Sequence, residues 1–313
     1  MADYPVRPAP VIVRGRATAS QVAGIDAELT TQTAHLADIE TATETVATTL
    51  ASGMRTAANA AMSASAGTLP VRSISEDIDI ARGLRTGMQH VFVFGYNNDV
   101  DGAEDIWNGG GDYTGFPTGS AETVTIVSTD ANDASGGTGA RTVKIFGLDS
   151  NWALAEETLT MNGLTLVTSS GTFRRVYKVE VITAGSGNTN AGALTVAHST
   201  TTANIFSVVP AGYSLSQMAV YTIPAGYTGY LIGYESELLD NTTNTGVLAF
   251  KIRKDGGPWL LERTRGLSTT YPSDHWNLAI PLPAKTDIVT RCISVQNTNA
   301  KITATFKILL VAN

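Results

Sequence analysis

The apolar residues of the N-terminal part follow a heptad pattern. Residues 18–63 contain no proline and are rich in Ala, Thr, Glu and Leu, which favours one long helix. Thr18 and Gln21 have the spacing of a capping box at its start. Apolar residues then recur at alternating spacings of three and four positions and form a narrow seam. The seam consists of Val22, Ile25, Leu29, Leu36, Ile39, Val46 and Leu50.

This seam predicts a coiled coil. Most of its a positions hold Leu and most of its d positions hold β-branched residues, a choice that favours three or four chains over two. The alternative is an amphipathic helix packed on its own domain, but such a helix has a wider apolar face and usually ends sooner. We therefore expect a trimeric coiled-coil stalk, in which Gln32 and Thr43 on the seam fix the register.

Beyond about Leu69 the pattern changes to short runs in which apolar and polar residues alternate. Clusters of Gly, Asn, Asp, Ser and Pro separate the runs, and no long helix intervenes, so we expect an antiparallel jelly-roll or sandwich-like β head over residues 64–313, either as one unit or as two β subdomains. The tetrapeptide PAGY, at 210–213 and 224–227, predicts a type I turn with Pro second and Gly fourth. The clearest runs are 90–96, 122–128, 141–148, 173–183, 227–235, 246–253 and 301–311.

The first 17 residues predict an extended arm. Three prolines exclude a helix, and the segment is too short to bury itself. It is either disordered, as termini often are, or a strap that docks on a partner. We expect a docking arm whose contact residues are Tyr4, Pro5, Pro8, Pro10, Val11, Ile12 and Val13.

The composition argues against several kinds of partner. With 21 Lys and Arg against 28 Asp and Glu, the net charge is −7, and the chain lacks the basic character needed to bind nucleic acid. No run of about 18 apolar residues is present to span a membrane. The single cysteine excludes an intrachain disulfide, and the four histidines lack metal-ligand spacing. We expect a soluble chain without metal or cofactor.

No catalytic motif is found in the sequence. Cys292 lies in a strand-like run, DIVTRCISVQ, which indicates a buried thiol rather than a nucleophile. Asp274 and His275 are adjacent in sequence, but adjacency does not assemble a triad. Segments of the GxSxG, HExxH and Walker types are absent from the sequence. We therefore expect no catalytic residues and no enzymatic activity.

The segment NNDVDGAEDIWNGGGDY holds a dense acidic cluster. Its first half resembles a calcium loop, but the twelfth position is Asn108 where such a loop needs Glu. A carboxylate pair of a glycan depolymerase could also be sought here, in Asp99, Asp101, Glu104 and Asp105. Four acids this close together are more typical of a solvated turn, which is the interpretation we favour over a metal site.

Aromatic residues around the same glycines allow two interpretations. Trp107, Tyr113 and Phe116 either pin the loop to the sheet below or stack on a bound sugar, and pinning is favoured because aromatic burial is so stabilising. A host-glycan module would use Trp107, Tyr113, Trp259 or Trp276 as stacking platforms.

Three stretches resemble a family of virion structural proteins in tailed phages: residues 80–113, 220–233 (VYTIPAGYTGYLIG) and 280–310. The resemblance implies a head, neck or tail appendage, located in the virion after assembly in the host cytoplasm, with no catalytic residues. A coiled coil ahead of a β head is similar to trimeric fibres that attach by their N-termini to the capsid or to the head-to-tail junction. The partners implied are the chain itself and a portal, adaptor or capsid protein, with a host surface glycan as a further candidate. The alternative within the virion is a capsid decoration protein.

Overall fold

The structure, a computed structural model, describes residues 15, 18–64, 76–239, 245–268 and 279–313. The chain divides into two units, Met1–Ser73 and Ile74–Asn313. The docking-arm residues, and Asp274, His275 and Trp276, lie outside the described residues.

The described part of the first unit is one helix, α1 (Ala19–Ala64). The predicted capping box is confirmed: the Thr18 amide donates to Gln21 Oε1 at 3.0 Å, and the Gln21 amide donates to Thr18 Oγ1 at 3.4 Å. These bonds satisfy two of the amides that a helix start leaves without partners. Threonine hydroxyls along the helix donate hydrogen bonds to the carbonyl four residues earlier, as the Thr43 hydroxyl does to the Ile39 carbonyl.

The second unit begins with a short helix, α2 (Glu76–Ala81), and is otherwise mainly β, as predicted. All seven of the runs predicted from alternation lie in strands, although run 173–183 is divided at Arg174 between two of them. The strands are β1 (Met88–Val100), β2 (Glu122–Ser128), β3 (Ala140–Leu148), β4 (Leu154–Thr160), β5 (Val167–Phe173), β6 (Arg175–Ala184), β7 (Leu194–His198), β8 (Ile205–Val209), β9 (Val220–Thr222), β10 (Tyr227–Leu238), β11 (Thr245–Arg253), β12 (Trp259–Ser268), β13 (Ile280–Leu282), β14 (Asp287–Val295) and β15 (Ala300–Ala312).

These strands form four antiparallel sheets around two main hydrophobic cores. Sheets β1-β15-β10-β13 and β12-β11-β14-β9 share the larger core, to which every one of their strands contributes. We call this pair of sheets the split body. Sheets β5-β2-β7-β8 and β4-β3-β6 share the second core and form the inserted body, because the chain builds it between β1 and β9.

Strand periodicity explains how each body buries its core. In β15, Ile302, Ala304 and Phe306 are fully or almost fully buried, while Lys301 is exposed and Lys307 is half-buried on the other face. Phe306 packs edge-on against Phe250 of the facing sheet, with ring centroids 5.7 Å apart. The alternation seen in the sequence therefore places one face of the strand in the core.

The type I turn predicted for PAGY is wrong. The Tyr213 amide donates to the Pro210 carbonyl at 3.1 Å, so Pro210 is first in the turn and Gly212 is third, with φ of 80°. A positive φ at the third position is typical of a type II turn, which favours glycine there. Gly226 of the second copy has a similar φ of 79°.

Candidate functional site

The residues of the predicted seam are exposed along α1. Val22 is 46% exposed, and the other six seam residues are between 61% and 65% exposed. Nothing within the described part of this unit covers them, because α1 is its only element. An apolar stripe of this length is therefore the first candidate surface of the molecule.

The acidic loop is held together by its own hydrogen bonds. Glu104 accepts from the Asp101 amide at 3.1 Å, the Gly111 amide at 3.0 Å and the Asn97 side chain at 3.2 Å. Asp101 in turn accepts from the Asn299 amide at 2.7 Å. These carboxylates thus organise a loop, and the described residues contain no group of three or more His, Cys, Asp or Glu that could hold a metal ion.

Asp105 of this loop is a buried ion-pair partner. It accepts from the Tyr113 amide at 2.8 Å and from Arg291 at 3.1 Å. Burial raises the pKa of Asp105, although the Tyr113 amide and Arg291 both act to lower it. Both oxygens of the Asp105 carboxylate are therefore hydrogen-bonded within the protein.

Two of the three aromatic residues of the loop are buried, as the pinning interpretation predicts, and the third, Phe116, is half-buried. Trp107 and Tyr113 are 3% and 8% exposed, and their rings lie edge to face with centroids 5.1 Å apart. A Cβ added at Gly109 or Gly115 would lie 2.2 Å from the Trp107 ring or from Tyr113, respectively, so the glycines allow the rings to fold back. Trp107 and Tyr113 therefore offer no open face for stacking on a sugar.

Tyr113 also connects the split body to the inserted body. Its hydroxyl lies 3.2 Å from the Val176 carbonyl oxygen and 3.0 Å from that of Phe206, both in the inserted body. Burial raises the pKa of Tyr113 far above its ordinary range, so the phenol stays a proton donor. The Tyr113 ring also packs against Phe116, with 4.9 Å between the centroids. Trp107, Tyr113 and Phe116 thus form a row of packed aromatic rings.

An ion cluster joins the two bodies beside this row. Asp287 of β14 accepts two bonds from Arg175 of β6, at 2.8 and 3.0 Å, and two from Arg253 of β11, at 2.6 and 3.0 Å. Thr222 donates to the same carboxylate at 2.6 Å. The paired geometry of a guanidinium and a carboxylate fixes direction as well as distance, and here it ties β6 of the inserted body to β14 of the split body.

A cleft of about 520 Å³ opens between the bodies next to this cluster. Arg253 and Trp259 come from the split body, Glu122, His198 and Asn204 come from the inserted body, and Phe116 with Pro117 comes from the connection between them. Arg253 lies against the rings of Trp259 and Phe116, with its guanidinium carbon 4.8 and 5.7 Å from their centroids. One wall is thus aromatic and the other polar.

His198 is the unusual residue of the cleft. Its side chain is 2% exposed, and neither ring nitrogen has a hydrogen-bond partner. Glu122 Oε2 lies 3.5 Å from Nδ1, which is longer than a normal hydrogen bond. Burial lowers the pKa of His198. The nearby charge of Glu122 acts to raise this pKa, and that of Arg175 acts to lower it. Because the net effect is a lower pKa, the ring is neutral near pH 7.

Sequence reasoning singled out the aromatic residues Phe116 and Trp259 among these cleft residues but none of the polar ones. Glu122 and His198 are 76 positions apart, and each ends or begins an ordinary strand, so no local spacing relates them. The sheet pairing of β2 with β7 is what brings them together, since Val124 lies opposite His198.

Cys292 is fully buried in β14, as predicted. Burial raises the pKa of its thiol to about 11, so the thiolate needed for nucleophilic attack is absent at neutral pH. Among the described residues, no helix is both long and apolar enough to cross a membrane.

Comparison with known protein families finds none that matches this chain, and comparison with curated proteins likewise finds no match.

Proposed function

We propose that the chain is a non-enzymatic structural component of a tailed-phage virion, a homotrimeric fibre anchored by its N-terminal arm. The observation that carries the proposal is the run of seven apolar side chains exposed along a helix of 46 residues. The resemblance of residues 80–113, 220–233 and 280–310 to tailed-phage virion proteins supports a location in the virion.

The trimer is supported by what an isolated helix would require. A single helix gains little stability from hydrogen bonds alone, and most helices depend on packing of an apolar face. Here that face is a seam with Leu29 and Leu36 at a and Ile39 at d, the distribution that favours more than two strands. Three copies in register would bury every seam residue and give each helix its missing core.

The pairing of the strands supports a jelly roll for the split body. Its eight strands pair as nested hairpins: β1 with β15, β9 with β14, β10 with β13, and β11 with β12. Two further pairings, β10 with β15 and β11 with β14, complete the two sheets. Such folds are common in viral capsid and lectin domains, and here a second β body is inserted after the first strand.

In this proposal the arm, residues 1–17, docks on a portal, adaptor or capsid protein, with the neck favoured. Three arms joined by one stalk bind with high effective concentration, so three weak contacts give one durable attachment. Capsid decoration is the second candidate, and in that case the β bodies would make the main contact.

Deletion of residues 1–17 tests the attachment. A truncated chain supplied to a phage that lacks the gene should fold and trimerise but should be absent from purified particles. A control chain in which the same 17 positions are replaced by a Gly- and Ser-rich segment should be absent as well. Normal incorporation of either chain would contradict anchoring by the arm and would support decoration by the β bodies.

A further inference from the structure

We propose that the cleft between the split body and the inserted body binds a neutral sugar unit. Trp259 and Phe116 form its apolar wall, and Glu122, His198 and Asn204 bind the hydroxyls. This inference concerns a ligand rather than assembly, and it does not depend on the trimer.

The unsatisfied histidine is the first observation behind the proposal. Buried polar side chains almost always have hydrogen-bond partners, and those that lack one call for an explanation. The neutral imidazole of His198 offers one donor and one acceptor, and the ring lines the cleft with neither in use. Both nitrogens are shielded from solvent in this structure, so a shift of the side chains around His198 on binding would bring one of them to a sugar hydroxyl, which can both donate and accept.

The walls supply the rest of a sugar site. Phe116 and Trp259 lie with ring centroids 5.3 Å apart and 60° between their planes. Arg253 covers part of both rings, and both stay half-buried, so the C–H face of a pyranose ring packs on the ring surface that Arg253 leaves open. Across the cleft, Glu122 is 31% exposed; its Oε2 already accepts from the Thr200 hydroxyl, and its Oε1 can accept from a sugar hydroxyl. Apolar walls with a few placed polar groups are typical of small-molecule sites.

The charges favour a neutral ligand. The positive charges of Arg175 and Arg253 are matched by the carboxylates of Asp287 and Glu122, and Asp287 already binds both guanidinium groups. An acidic sugar would therefore meet the half-buried Glu122 carboxylate without gaining an uncommitted cation.

The size of the cleft is consistent with this ligand class. A volume of about 520 Å³ lies within the range of about 300–1,000 Å³ usual for ligand pockets and has room for a mono- or disaccharide.

Saturation-transfer NMR on the full-length protein tests the proposal. The probes are D-glucose, D-galactose, D-mannose, N-acetyl-D-glucosamine and L-rhamnose, each at up to about 20 mM, where even millimolar affinity gives near-complete occupancy. At least one neutral sugar should show saturable transfer and quench tryptophan fluorescence. Glu122→Gln should weaken that binding about tenfold, since a hydrogen bond to a charged group is lost.

Matched variants separate the cleft from the rest of the surface. Trp259→Leu should abolish binding, whereas Phe92→Leu, at an aromatic residue that is 65% exposed outside the cleft, should not. Glu156→Gln is the control for Glu122→Gln, because Glu156 pairs with Lys144 on the inserted body. Thermal unfolding and native mass of every variant show whether fold and assembly are intact, so failure of this proposal is distinct from failure of the trimer.

Three results would overturn the proposal. The first is no saturable transfer from any of the neutral sugars to folded wild-type protein. The second is binding that survives unchanged in both Glu122→Gln and Trp259→Leu. The third is D-glucuronate binding as tightly as D-glucose.

Discussion

Arg175 and Asp287 form a buried, two-bond ion pair although they are 112 positions apart in the chain. Arg175 begins the third strand of its sheet in the inserted body, and Asp287 begins a strand of the split body. Their side chains are 5% and 4% exposed, so the pair is shielded from water and salt. The pair thus couples two bodies that each have their own core.

Replacing Arg175 with Met should strongly destabilise the β unit. The change leaves Asp287 with Arg253 and Thr222 and removes two charged hydrogen bonds from a buried carboxylate, at a cost of about 3 kcal/mol in the free energy of unfolding. Calorimetry should show a lower unfolding temperature, and separate transitions if the bodies uncouple.

Lys178→Met on the same strand is the control for Arg175→Met. Lys178 pairs with Glu180, but both are about 40% exposed, so its loss should cost less than about 1 kcal/mol. Equal losses in the two variants would show that the Arg175 pair has no special importance.

Stability should fall in alkali. Burial raises the pKa of the Cys292 thiol to about 11 and the pKa of Tyr177 and Tyr234 to about 12, against ordinary values of 9.0 and 10.0. As the pH rises above the ordinary values, the unfolded chain loses protons that the folded chain keeps, so the free energy of unfolding declines through this window.

Urea unfolding at a series of pH values measures the alkaline effect. The Cys292→Val variant should lose less stability than wild type between pH 9.0 and 10.0, because its first ionising group is gone. In native wild-type protein the thiol should be inert to a thiol reagent and react only on unfolding. Rapid reaction of the native thiol would contradict the burial of Cys292.

The acidic loop should be dispensable for assembly and chemistry. Asp99 and Asp101 are exposed, and Asp101 makes one bond to the Asn299 amide that an Asn can still accept. The double change to Asn should shift the free energy of unfolding by no more than about 0.5 kcal/mol. Reducing ends released from host polysaccharide by wild type but not by this variant would overturn the non-enzymatic account.

Much of the β unit could be predicted from sequence because its central strands have one buried face. Strand β15 is the clearest case, since its alternating Ile, Ala and Phe residues meet one core. Strands β4 and β5 were not predicted: both are edge strands with several exposed residues, and LAEETLT and VTSSGTF carry no sustained apolar alternation.

The cleft could not be predicted because none of its relations is local. Glu122, His198 and Arg253 come from three strands in two bodies, and only the sheet pairings bring them to one place. The glycines around Trp107 gave a usable local signal, since a ring that folds back needs space where a Cβ would be.

Charges placed on the seam should separate the chains. Leu29→Asp with Leu36→Asp would bury unpaired like charges in an assembled coiled coil, which costs several kcal/mol. Ala34→Asp with Thr41→Asp, on the face away from the seam, adds the same charge and should leave assembly unchanged. Sedimentation equilibrium compares the two; dissociation of both variants, or of neither, would contradict the seam.

The native mass of the wild-type chain in dilute solution tests the central proposal most directly. Light scattering at micromolar concentration should give three times the 32.8 kDa chain mass, because only assembly covers the exposed seam of α1. A mass of 32.8 kDa at that concentration would contradict the trimeric fibre.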